Sequence, residues 1–188
     1  MTRVLCILCT VFTVTGCSSE TIKVENDAIN KKTIVKMRMT HQSVQKTAVN
    51  TADARYVRSF NDEGILQPTI VHVEIITPMD AGKLSRNAYM KMGIIKKKVV
   101  LQDIQSETVK VDGSSIETGD NKDTGKKYTV YRATMPFTIP IERHIRNADE
   151  VLYRFYFGSR GINYSVEGKQ LEKLKEFMRT GLKDEEPS

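Results

Sequence analysis

Residues Pro68 to Pro78 read PTIVHVEIITP, and the strict alternation of this segment constrains the fold more than any other feature. Val71, Val73 and Ile75 point to one side of an extended chain, and Ile70, His72, Glu74 and Ile76 to the other. The two prolines bracket the run, at strand ends where a missing N–H interrupts no ladder. A strand with one apolar face and one face carrying His and Glu belongs in a sheet that is covered on one side.

The same period returns along the chain. In Thr33 to His41 (TIVKMRMTH), Val35, Met37 and Met39 oppose Lys36 and Arg38. Ile94 to Val111 is β-rich and carries Lys96-Lys97-Lys98 near its start. Tyr128 to Ile141 places Tyr131, Ala133, Met135, Phe137, Ile139 and Ile141 in phase, while Pro136 and Pro140 favour an edge strand or a bulge. Val151 to Phe157 (VLYRFYF) assigns Tyr153, Phe155 and Phe157 to the core, with Tyr156 opposite. Gly158-Ser159-Arg160-Gly161 reads as a hairpin turn into Ile162 to Val166.

Helical spacing appears in three places. Leu171, Leu174, Phe177 and Met178 make an apolar stripe over Glu167 to Thr180, with Gly181 as its stop. Leu84, Ala88 and Met92 share a helical face between Asp80, a candidate N-cap, and the terminator Gly93. Val44, Ala48, Ala52 and Tyr56 recur four apart within Gln42 to Phe60, although Asn50, Thr51 and Asp53 weaken a helix there. The expected fold is α+β: a mostly antiparallel sheet of about five or six strands, two or three helices, and the C-terminal helix packed on the sheet.

The N-terminus is a separate matter. Arg3 is the only charge before Glu20, and an apolar run from Val4 to Val14 follows it. That run has the length of a signal-peptide core and falls short of the roughly 20 residues of a membrane span. It ends in Val14-Thr15-Gly16-Cys17, which resembles the lipobox of bacterial lipoproteins: a branched apolar residue, a small residue, Gly, then the modified Cys. The resemblance implies cleavage before Cys17, a diacylglycerol on its thiol, and a cell-envelope address. Ser18 in place of Asp implies the outer membrane if the envelope is Gram-negative. The expected organisation is a signal peptide over 1–16, the acylated cysteine and a flexible tether over 17–32, one α+β domain over 33–182, and a polar tail over 183–188. Residues 18 to 188 carry no family resemblance of their own.

On this reading Cys6 and Cys9, despite their C-x-x-C spacing, are discarded with the signal, and Cys17 is acylated. No thiolate remains for a disulfide, a metal or catalysis. The full chain carries +6, and loss of Arg3 lowers that by one. So mild a basicity suits a solvated surface or an anionic envelope partner, while nucleic acid is not expected outside the cytoplasm.

No catalytic constellation emerges. His41, His72 and His144 include no pair spaced four apart, so helical zinc-site geometry is absent. His72 and Glu74 share a strand face, which orients an imidazole but more commonly marks a solvated surface. The loop Gly119 to Lys127 fails as a phosphate-binding loop, with five residues between its glycines and Lys127 after Lys126. It fails as a calcium loop because Lys122 falls where an oxygen ligand is required. The polar stretch 113–127 reads instead as a long, mobile hairpin loop.

Two basic segments remain as candidate ligand-binding residues: Lys96, Lys97 and Lys98, and Arg143, His144 and Arg146. Were they to converge, they could hold phosphate or carboxylate groups. Catalytic residues, metal and cofactor are expected to be none. The expected function is non-enzymatic: a lipid-anchored subunit that binds another envelope protein. A binder of an anionic or amphiphilic ligand and a hydrolase with dispersed acidic residues stand as alternatives.

Overall fold

Extended segments must pair to satisfy their backbone groups, and among the described residues ten strands do so in two antiparallel sheets. The structure is a computed structural model, and it describes residues 21–45, 51–78, 81–111 and 126–182. The larger sheet contains β1 (Lys23–Asp27), β2 (Lys32–Gln42), β3 (Thr51–Phe60), β4 (Thr69–Pro78), β7 (Gln102–Val111) and β8 (Lys126–Phe137), in the order β1-β2-β3-β4-β8-β7. The smaller contains β5 (Asn87–Met92), β6 (Ile95–Val100), β9 (Val151–Phe157) and β10 (Arg160–Val166), in the order β10-β9-β5-β6. Helices α1 (Ile139–Arg146) and α2 (Gly168–Arg179) complete the α+β architecture.

The core lies between the inner faces. Val35, Met37, Met39, Tyr56, Val71, Ile75, Met135 and Phe137 of the larger sheet are buried in one cluster with Met90, Val151, Tyr153, Phe155, Phe157 and Tyr164 of the smaller. Rings cross the gap: Phe137 stacks on Tyr153 at 6.4 Å, and Tyr131 meets Phe157 at 5.3 Å. Helix α2 closes one end, with Leu171, Leu174, Phe177 and Met178 buried and the Phe177 ring 5.8 Å from Tyr56. Gly181, at φ 79, ends it in the left-handed conformation that glycine adopts freely.

Several expectations are corrected. One sheet of about five or six strands becomes two sheets of six and four. The helix expected within Gln42 to Phe60 is strand β3 over its described part, and the helix expected over Asp80 to Met92 gives way to β5. Both errors have one cause: a four-residue spacing fits a helical turn and is also two full strand repeats. In β3 every second residue from Ala52 to Phe60 is buried, and in β5 Ala88, Met90 and Met92 are. The period is masked in β3 because Arg58 occupies a core position.

Ile139 and Ile141 leave the strand register and open α1, where Pro140 sits in the first turn and costs no intrahelical hydrogen bond. Pro136 lies in β8, an interior strand, but beyond the last β7 pairing at Gln102 opposite Thr134, so its missing N–H interrupts no ladder bond on that side. Lys23–Asp27 pairs with Lys32–Lys36 as β1, so part of the segment expected as a flexible tether is an edge strand. The signal segment, Cys17, the 113–127 hairpin loop (except its last residues, Lys126 and Lys127, which open β8) and the 183–188 tail lie outside the described residues.

Candidate functional site

Register on the outer face of the larger sheet decides which charged side chains become neighbours. Arg38, Arg55, His72 and Thr134 stand side by side across β2, β3, β4 and β8. The next row along the strands runs Thr40, Asp53, Glu74, Arg132 and Gln105. All but Gln105, on the edge strand β7, are out-pointing alternates of strands whose other face is core. Together these rows border a cleft of about 420 Å³.

Most of its charges are paired in place. Asp53 accepts hydrogen bonds from Arg38 Nη2 at 2.7 Å and Thr40 Oγ1 at 2.5 Å. Arg132 bridges two carboxylates, donating to Glu74 at 2.8 Å and Glu107 at 2.7 Å. Burial works to raise the Asp53 carboxyl, but the Thr40 and Arg38 bonds outweigh it and hold the group below its ordinary range. His72 is held below its ordinary value by partial burial and by the Arg55 cation beside it, both of which disfavour the protonated imidazole. Arg55 itself is exposed and forms no ion pair among the described residues.

A β-bulge between Gln102 and Gln105 completes the rim. It puts Asp103 at φ 50, a left-handed conformation that Asp tolerates better than most residues, and its carboxylate accepts from Thr134 Oγ1 at 3.0 Å. Chemically the cleft offers the Arg55 guanidinium, without an ion pair among the described residues, an imidazole whose protonation is disfavoured, two carboxylates held by arginines (Asp53 and Glu74) and a third, Asp103, held by a hydroxyl. Among the described residues no three His, Cys, Asp or Glu side chains gather as metal ligands.

Two polar networks lie inside the fold. Arg58, fully buried on β3, donates through Nη1 to the carbonyls of Phe177, Met178 and Thr180 and through Nη2 to Glu142 at 2.9 Å. It therefore caps α2 and ties it to α1, while Glu142 also accepts the Thr69 N–H. Burial lowers the Arg58 pKa, and Glu142 offsets part of that. In the second network, His41 Nε2 lies 3.0 Å from the Tyr56 hydroxyl, which lies 3.1 Å from that of Tyr153. Desolvation pushes the His41 imidazole down to about 4 and both phenols up.

The residues singled out from sequence fall on separate elements. Lys96, Lys97 and Lys98 are exposed on β6, an edge strand. Arg143, His144 and Arg146 occupy the last turn of α1, where cations complement the helix dipole. The turn that precedes β6 is tied to the loop that follows α1, where the Gly93 N–H donates to the Glu150 carbonyl, but the two basic segments themselves stay on separate elements. The charged cleft was missed apart from His72 and Glu74. Its signal is faint: single cations and acids on the solvated alternates of four strands, meaningful only once register is known. No protein-family model, curated protein or solved structure matches the chain.

Proposed function

We propose that the chain is a non-enzymatic envelope lipoprotein, anchored through Cys17, that binds another envelope protein as an assembly or accessory subunit through the outer face of the larger sheet. The observation that carries this reading is the placement of that face. Both helices and the smaller sheet contribute to the core on the opposite side, leaving charged rows across four strands open to solvent. A face of mixed sign gives register and partner choice, because a wrong partner meets like charges. The paired acids support a binding role over the dispersed-acid hydrolase, since Asp53 and Glu74 are each held by an arginine.

An anionic or amphiphilic ligand is the second reading. The volume of the cleft, about 420 Å³, falls in the range of small-molecule sites, and Arg55, which has no ion pair among the described residues, can meet a carboxylate or phosphate.

A photo-crosslinking residue at position 55 of the full chain, activated in its native envelope, tests both. One dominant protein adduct, lost on charge reversal at Arg38 and Arg132, is expected. A lipid or glycan adduct in its place transfers the proposal to the second reading, and no adduct overturns the site. Cys17→Ala is expected to block lipoprotein maturation and release the chain from the detergent-requiring membrane fraction; unchanged retention overturns the anchor.

A further inference from the structure

The β5–β6 hairpin turns through Gly93 and Ile94, and Ile94 is 100% exposed. Gly93, at φ 56, supplies the conformation that the first position of a tight hairpin turn requires. The second position makes no demand for an isoleucine; turns ordinarily place polar residues there, since nothing in a turn shields an apolar side chain. Ile95, the next residue, packs against the core, so Ile94 projects alone.

Lysines surround this tip. Lys91, Lys96, Lys97 and Lys98 are all exposed on the two strands. Lys91 pairs with Glu150, and Lys96 lies 4.8 Å over the Tyr89 ring, which meets Tyr156 at 6.0 Å. Lys97 and Lys98 have no ion-pair partner among the described residues. Glu150, whose carbonyl accepts the Gly93 N–H at the turn, has its carboxylate already engaged by Lys91. Lysines on an edge strand have a structural use, since they discourage pairing with another chain. That use does not explain an isoleucine in full contact with water at the head of the hairpin.

We infer that the β5–β6 hairpin is a membrane-contacting tip that sets Ile94 into an anionic lipid surface while Lys96, Lys97 and Lys98 meet the headgroup phosphates. The chemistry favours lipid over an acidic protein. Ammonium groups are mobile point charges suited to a diffuse layer of phosphates, whereas recognition of defined carboxylates favours the planar fork of arginine. A stable protein interface needs on the order of 1,000 Å² with a packed apolar centre, and one isoleucine does not make that centre. An apolar tip within a basic, tyrosine-backed collar is the arrangement that an interfacial layer receives. The contact does not depend on Cys17 or on the cleft of the larger sheet.

The chain contains no Trp, so Ile94→Trp introduces a single indole whose emission reports the tip alone. The full chain carrying this substitution is mixed with vesicles of phosphatidylcholine alone or with about one-third phosphatidylglycerol. Expected are a blue shift and quenching by brominated acyl chains with the anionic vesicles only. The signal should weaken about fivefold in apparent affinity for each lysine removed in Lys96→Gln, Lys97→Gln and Lys98→Gln. It should also fade at about 1 M salt, where screening shortens to about 3 Å. Unshifted emission on vesicles that carry the protein overturns the tip contact while leaving the lipid anchor standing. An equal shift on both vesicle types, indifferent to the lysines, overturns anionic recognition.

Discussion

Arg58→Met is expected to destabilise the fold by about 3–5 kcal/mol, and the figure follows from what the guanidinium leaves behind. Arg58 is 0% and Glu142 1% exposed, so the substitution strands a carboxylate where water cannot reach it. It also removes the Nη1 bonds to Phe177, Met178 and Thr180, of which the Met178 carbonyl at 2.6 Å is the closest acceptor. Adding Glu142→Leu removes the stranded charge, and packed apolar groups replace buried ion pairs at little net cost. The double variant is therefore expected to be more stable than Arg58→Met alone. It remains below the wild type by the lost helix-cap bonds, about 1–2 kcal/mol. Urea unfolding followed by far-ultraviolet circular dichroism gives the cycle directly, with a constant m-value as the control for two-state behaviour. For a domain of this size the single variant should melt roughly 6–20 °C lower. Arg58→Met within about 1 kcal/mol of the wild type, or a double variant costing the sum of both singles, refutes the buried-pair argument.

Phe177→Ala should cost about 3–5 kcal/mol, because the ring is fully buried against Tyr56; an unchanged melting temperature would place α2 elsewhere. His41 is buried and neutral, with its pKa lowered to about 4, so it contributes stability that is fully present above its unfolded value near 6.5 and is lost as pH falls toward about 4. About 3 kcal/mol should disappear across that window, and His41→Gln should flatten the profile there; parallel profiles would show that another group titrates. Gly181→Ala should destabilise by about 1–3 kcal/mol, since a Cβ would meet the Phe60 ring at 2.7 Å on a backbone at φ 79; a melting curve that superposes on the wild type would contradict this.

Strands β2 and β4, the β9–β10 hairpin and helix α2 were legible because each pattern runs unbroken through its element. Val71, Val73 and Ile75 alternate with polar residues, and Leu171, Leu174, Phe177 and Met178 can lie on one side only of a helix. Strands β3 and β5 were not legible, since Ala52 with Tyr56 and Ala88 with Met92 fit both periods. In β3 the arbitration rests on Arg58, whose charge argues for the surface while its neighbours two residues away argue for the core. The conflict was itself the signal. An arginine in phase with Ala52, Ala54, Tyr56 and Phe60 implies a buried acid elsewhere, and Glu142 fits that need only once α1 is known to be a helix. The cleft was hidden for a different reason: its members are unremarkable surface charges until register sets Arg55 beside His72.

The pairing of β1 changes how the proposed anchor would act. A tether running to residue 32 would let the domain turn freely above a bilayer, whereas β1 begins at Lys23, six residues after Cys17. Six extended residues reach at most about 22 Å, less than a domain diameter. A domain held so close cannot present every side equally to the lipid, and a second weak contact then suffices to choose one. Linkage would convert that contact into an intramolecular event at about millimolar effective concentration, so a tip with one isoleucine and three lysines needs little affinity of its own. The domain would then stand on two points, Cys17 and Ile94, with the charged face of the larger sheet held at a fixed angle to its partner.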